Sequence, residues 1–252
     1  MTYRFNKERH LHQILIGEDW KNLTGCTTIL SVLAKPALIQ WAANQAVDYI
    51  KESLCPGWDN TKSWKWLKET IEKTFEEARK AHTKRKEKSG DYGTKVHEGI
   101  ELVILRAIQD NKGYIKKKEK SDEKSVQNFI DWAVSNKVKF LDTEKNVYSE
   151  KLFLGGIIDL VCEIDGKVWI GDIKTSKSGI YPENFAQIAG YQLMLQEMGL
   201  YPDIAGYIVI NLKETGEILE KRSISNGDNT KFFLACLEIY RQQERLKNNI
   251  TN

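Results

Sequence analysis

"GGIIDLVCEIDGKVWIGDIKTS", residues 155–176, holds two apolar, β-branched runs joined by Asp165-Gly166. Asp-Gly between such runs is the strongest short-range hairpin signal, because both positions of a type I′ turn need positive φ. A two-residue turn there pairs Ile164 with Lys167. Counting outward along both strands sets Asp159 opposite Asp172, and Ile157 opposite Lys174. Opposed residues share a face of a sheet, and so do residues two apart. Asp159, Asp172 and Lys174 are therefore expected on one face, with Ile158, Leu160, Cys162 and Ile173 on the other as core.

Directly opposed Cβ atoms lie about 4.5–5.5 Å apart. Two carboxylates that close repel each other, and more so when partly buried. A shared proton, the Lys174 ammonium or a divalent cation would each offset the repulsion, and the last suits oxygen ligands on a rigid strand pair. The ordinary alternative is a salt bridge on an edge strand. Against it, "VWIGDIK" (168–174) is too apolar for an edge. Gly155 and Gly156 also leave space for a close-approaching backbone or ligand.

Outward from this hairpin, residues 25–52 read as helical, with Pro36 near the start of the longer helix. A second helical stretch spans 62–88. "SGDYG" (89–93) reads as a break, and a third helix opens at "GTKVHEGIELVILRAIQ" with Thr94 as N-cap. A polar loop and a helix at "VQNFIDWAVSNK" lead into strands from about 146 to 175. Then follow the helix "ENFAQIAGYQLMLQEM", the buried strand "IAGYIVINL", a short strand near "EILEKRSI" and a C-terminal helix. This order predicts an α/β or α+β fold with a central mixed β-sheet flanked by helices. Residues 1–90 form an N-terminal helical region packed on a core of residues 91–252, as one compact domain.

The chain has 252 residues, 41% hydrophobic and 29% charged, as a soluble globular protein does. Its net charge of +3 is too small to argue for nucleic acid by itself. Basic clusters at Lys84, Arg85, Lys86 and Lys88, and at Lys116, Lys117, Lys118 and Lys120, suit either solvated surface or phosphate contacts. Trp58, Trp64 and Trp66 suit packing between helices or stacking on bases. No run approaches the roughly 18 apolar residues of a membrane span, so the expectation is a cytoplasmic protein with no membrane partner. Cys26, Cys55, Cys162 and Cys236 show no CxxC spacing and read as buried or incidental thiols.

Two helices add polar pairs. His97 precedes Glu101 by four residues, and Gln187 precedes Tyr191 by four, so each pair shares a helix face. A neutral imidazole is a common metal ligand.

Together, "GTKVHEGIE" (93–101), "GGIID" (155–159), "DIK" (172–174) and "QIAGY" (187–191) resemble the PD-(D/E)XK nuclease superfamily. The nearest likeness is to its RecB/Cas4-like exonuclease branch, which includes phage exonucleases and the mitochondrial genome maintenance exonuclease. The helical His, the Asp, the (D/E)xK and the QxxxY occur here in that branch's order. The resemblance spans most of residues 25–212 and implies a restriction-endonuclease-like core.

It further implies His97, Asp159, Asp172 and the Ile173 carbonyl as ligands of one or two Mg²⁺ or Mn²⁺ ions. Lys174 would orient water or stabilise the transition state, and Gln187 and Tyr191 would position substrate or nucleophile. Glu101 and Glu150 are further carboxylates of the same region. The four clustered cysteines of iron–sulfur relatives are missing, so no cluster is expected, and no P-loop accompanies the motifs.

The expected function is a metal-dependent DNA exonuclease in phage or bacterial replication, recombination or degradation. Its substrate would be single- or double-stranded DNA, with recombination or replication proteins as partners, in the bacterial cytoplasm or a phage-infected host. The alternatives are a structure-specific or restriction-type endonuclease on the same core, a non-catalytic DNA-binding module, and a structural protein with an edge-strand salt bridge.

Overall fold

The Asp165-Gly166 turn forms as its residue types dictate, with φ of 52° and 72° as a type I′ turn needs. It joins β6 (Leu154–Ile164) to β7 (Lys167–Lys174). The antiparallel pairs run from Ile164–Lys167 to Leu160–Gly171, the register expected from the turn. In this computed structural model the described residues are 2–33, 35–54, 64–224 and 227–249. Cys55 and Trp58 lie outside them, as does the Trp64 side chain.

The chain divides into two compact units, Met1–Leu33 with Lys95–Asn252, and Ala34–Thr94. The first unit opens with an antiparallel three-stranded meander of β1 (Tyr3–Asn6), β2 (Leu11–Ile16) and β3 (Asp19–Asn22). His10 and Gly17 take positive φ in its turns. A second sheet contains β4 (Thr24–Gly25), β6, β7, β8 (Ile204–Leu212) and β9 (Ile218–Ile224) in that order, with β5 (Lys139–Ser149) also pairing β6. The β4–β6 and β7–β8 pairs are parallel and the rest antiparallel, so the sheet is mixed.

Parallel β7 and β8 need a crossover, and α5 (Pro182–Glu197) supplies it. This helix packs across β5 to β8, and α1 (Cys26–Leu30) and α6 (Asp228–Asn249) pack on it. Their shared core includes Ile29, Ile158, Val161, Ile170, Ile188, Met194, Val209 and Phe233. A further helix, α4 (Lys124–Ser135), packs on β8 and β9 and sets Phe129 5.7 Å from the Phe140 ring of β5. Cys26, Cys162 and Cys236 are buried free thiols.

The Gly155-Gly156 pair makes room for side chains of the protein itself. A Cβ at Gly155 would lie 2.4 Å from the His12 Cβ, and one at Gly156 would lie 2.6 Å from Tyr191 Cε1.

The second unit contains α2 (Pro36–Leu54) and the first part of α3 (Trp64–Asp110). Here the structure departs from the sequence reading, because α3 continues through residues 89–93 without a break. A glycine in a helix costs only about 1 kcal/mol relative to alanine, which the Lys- and Glu-rich stretch before it offsets. Thr94 does not cap a helix. Its hydroxyl donates to the Gly90 carbonyl at 3.1 Å, the back-bond of a threonine inside one.

Candidate metal centre

Beyond the Leu160–Gly171 pair, the Asp159 carboxylate lies between β6 and β7. It accepts the Ile173 N–H at 2.6 Å, while the Asp159 carbonyl accepts the Thr143 hydroxyl at 2.9 Å. A strand residue anchored at both its side chain and its backbone has little freedom to swing away. From α3, His97 Nδ1 stands 3.9 Å from Asp159 Oδ2.

Strand β5 adds a carboxylate that the sequence reading passed over. Thr143 pairs with Leu160 and Lys145 with Ile158, which sets Glu144 opposite Asp159. Glu144 takes φ of 45°, a left-handed conformation that strains a non-glycine residue by roughly 1–3 kcal/mol and clusters at functional sites. His97, Glu144 and Asp159 each offer a ligand atom, and these atoms all lie within 4.8 Å of one another. Burial first, then the Asp159 and Glu101 charges, push the Glu144 carboxyl up to about 7. Glu101 thus adds to the same negative field.

Asp172 is 2% exposed. The Lys174 ammonium lies 2.7 Å from its Oδ2 and donates a hydrogen bond to its Oδ1 at 3.0 Å. Among the described residues, Asp172 Oδ2 accepts no hydrogen bond. Burial raises the Asp172 carboxyl above the ordinary range, with Lys174 pulling the other way and Asp159 adding to the rise. Burial opposes the charged form of Lys174, but Asp172 and Asp159 outweigh it and its pKa is raised. The ammonium also donates to Gln187 Oε1 at 3.3 Å, and Gln187 Nε2 donates to the Tyr191 hydroxyl at 2.7 Å. Burial lifts the Tyr191 phenol well above its usual value, so it stays a neutral acceptor for Gln187.

Of the residues picked out from sequence, the hairpin and α5 thus bring Asp172, Lys174, Gln187 and Tyr191 into one hydrogen-bonded chain. Asp159 and His97 stand together beside it, and Ile173 joins the two sets through its N–H. Glu150 sits elsewhere, in the turn between β5 and β6, where its N–H donates to Glu197 Oε1 at 2.9 Å. In the basic clusters, Lys84 pairs with Glu77, Arg85 lies 3.8 Å from Glu52, and Lys116 lies 3.8 Å from Asp110.

Carboxylate oxygens with one imidazole form a donor set suited to a hard or borderline divalent cation. Such a cation would relieve the repulsion among Glu144, Asp159 and Glu101, and Asp172 Oδ2, which meets the Lys174 ammonium at 2.7 Å without a geometric hydrogen bond, has lone pairs to offer it.

Residues 45–249 match the model of the PD-(D/E)XK nuclease superfamily. With that match over most of its length, the chain belongs to this superfamily, whose members are divalent-metal nucleases that act on DNA. Curated proteins yield no match. Among 22 matching chains of solved structures, one described as the crystal structure of SSO0001 is 12% identical, covering 82% of this chain and 86% of that one. Its TM-score is 0.35. No helix among the described residues is long and apolar enough to cross a membrane.

Proposed function

We propose that this chain is a Mg²⁺- or Mn²⁺-dependent DNA exonuclease of the RecB/Cas4-like branch, serving phage or bacterial replication, recombination or DNA degradation in the cytoplasm. The observation that carries the reading is the chain from Asp172 through Lys174 and Gln187 to Tyr191. It ties the QxxxY helix of the exonuclease branch to the lysine of the nuclease motif.

In this reading His97, Asp159, Asp172 and the Ile173 carbonyl hold the cation, with Glu144 as an added ligand and Glu101 enlarging the field. The bound cation would polarise the scissile phosphate and acidify the attacking water. Water attacks phosphorus, the P–O bond to one sugar oxygen breaks, and that oxygen leaves with a proton.

The residues of this chain orient that exchange. Lys174, fixed by its neighbours, sets a positive charge beside the oxygens where negative charge grows. Gln187 and Tyr191 hold the lysine from the α5 side and fix its direction. Asp159, immobilised by Ile173 and Thr143, keeps the ligand geometry stiff, and a stiff site needs little rearrangement during reaction. Glu150, in the β5–β6 turn, is not used in this scheme.

The test is cleavage of end-labelled linear DNA and closed circular DNA with Mn²⁺, Mg²⁺ or EDTA, beside Lys174→Ala. Metal-dependent loss of the linear substrate, sparing of the circle and inactivity of the variant support the proposal. Cutting of the circle assigns an endonuclease instead. Binding without cleavage under either metal assigns a DNA-binding module.

A further inference from the structure

One polar side chain beside the motif lysine has no part in the scheme above. Asn211, on β8, is fully buried, at 0% exposure. Its Nδ2 donates to the Ser178 carbonyl at 2.6 Å. That contact fixes which end of the amide is which, since a reversed amide would set two oxygens together. Its Oδ1 is buried and, among the described residues, accepts nothing. A buried acceptor left without a donor costs about 1–3 kcal/mol, so its retention beside a reactive centre calls for an explanation.

Register identifies the donor. Asn211 is the direct partner of Lys174 across the parallel β7–β8 ladder. Partners across a ladder project from the same face of the sheet. The ammonium now rests on Asp172, with Gln187 as its second acceptor. A divalent ion on the Asp172 carboxylate repels the ammonium and competes for the two oxygens that it now contacts, so the ion pair weakens. A released ammonium in a buried site must find another acceptor close by, and a neutral one does not compete for the cation.

We propose that Asn211 is a positioning residue of the nuclease reaction, whose Oδ1 receives the Lys174 ammonium once a divalent cation occupies Asp172. Lys174 then donates to two neutral acceptors, Gln187 Oε1 and Asn211 Oδ1. Its third N–H is left for the attacking water or the scissile phosphate. The Ser178 contact has a separate task, fixing the amide so that Oδ1 is the end left to accept.

This inference rests on the metal-nuclease reading, and the experiment separates the two. Mn²⁺ is titrated calorimetrically into the metal-stripped full chain, as wild type, Asn211→Leu and Asn211→Asp. A crystal structure of the wild type with Mn²⁺ accompanies the titrations. Leucine fills the space and removes the acceptor. Aspartate keeps an acceptor for the ammonium, with a negative charge added, and loses the Ser178 contact. The expected result is Mn²⁺ binding weakened roughly tenfold or more by leucine, as for loss of a hydrogen bond to a charged group, and not weakened by aspartate. Equal weakening in both variants would mean that the Ser178 contact alone is at work, and overturns the proposal. So does wild-type affinity in the leucine variant.

If the leucine variant does not fold, the crystal structure decides. Lys174 Nζ in hydrogen-bond contact with Asn211 Oδ1 supports the transfer, and Nζ still seated on Asp172 beside bound Mn²⁺ overturns it. A wild type that binds no Mn²⁺ overturns the metal-nuclease reading itself, and this inference with it.

Discussion

Replacing Glu144 by glutamine should make the metal-free protein more stable at pH 8, although it removes a candidate ligand. The Glu144 carboxyl lies at about 7 in the folded chain against an ordinary 4.5, chiefly through burial. A folded-state pKa above the unfolded one means that the native protein keeps a proton the unfolded chain has released. The associated stability is fully present below about 4.5 and is lost as pH rises to about 7. At about 1.4 kcal/mol per pH unit, a rise from 4.5 to about 7 corresponds to roughly 3 kcal/mol. Solvent screening at this half-buried site reduces that to ~1–2 kcal/mol. Urea unfolding in EDTA at pH 5 and pH 8 reads the effect. Relative to Glu144→Gln, the wild type should lose ~1–2 kcal/mol between the two. For a chain of 252 residues that amounts to roughly 2–8 °C in Tm. Asp172 titrates in both proteins, so its contribution largely cancels. Parallel pH profiles for the two proteins would refute the reasoning, because burial would then impose no penalty on the Glu144 charge. With EDTA removed and Mn²⁺ added, the wild type at pH 8 should be stabilised far more than the variant.

Lys174→Met should abolish cleavage while leaving metal-free DNA binding measurable by fluorescence anisotropy. It should also destabilise by about 3 kcal/mol at pH 8, where Asp172 is left as a lone buried charge, and by less at pH 5, where that carboxyl is more readily protonated. Gly156→Ala should cost about 1–3 kcal/mol in thermal unfolding by overpacking, since its Cβ would meet Tyr191 Cε1 at 2.6 Å. Cleavage should fall further than stability predicts, because Tyr191 carries Gln187. Ser149→Ala should cost about 1–2 kcal/mol in urea unfolding, because the buried hydroxyl donates to Glu197 Oε2 at 2.6 Å and accepts the Leu152 N–H at 2.8 Å.

The hairpin was legible because a two-residue turn fixes its own register. Asp165 and Gly166 need no distant partner to choose their φ values, and the strand pairs follow by counting. The α5 helix was legible through its period, and β8 through its continuous apolar run. Glu144 was not, because β5 joins β6 through Glu150–Phe153, a turn with no Asp-Gly signature. Phe153 takes the left-handed conformation there, with φ of 55°, and nothing in its residue type announces that. The available signal was the polar run "DTEK" (142–145) flanked by Phe140, Leu141, Val147 and Tyr148, which reads as surface unless the register to Asp159 is known. The N-terminal meander escaped for a related reason. Its buried side chains, such as His12, pack against Gly155, so its short strands of mixed polarity are set by residues far along the chain. The break expected at residues 89–93 was an overreading of two glycines, a weak penalty in a long, strongly helix-forming stretch.

The short parallel pairing of β4 with β6 also shapes how the protein is made. Thr24 meets Leu154 and Gly25 meets Gly155, so β4 leaves the ribosome well before the strand that it pairs with. At a synthesis rate of about 5–20 residues per second, β4 waits roughly 6–30 s for β6. During that interval Tyr3, Phe5 and Ile14 have no sheet to cover them, and the open edge of β3 is free to pair wrongly. Contacts of such long sequence separation also slow refolding in the test tube. The late arrival of residues 154–155 therefore marks the interval in which a chaperone that shields the early strands would raise the yield of folded protein.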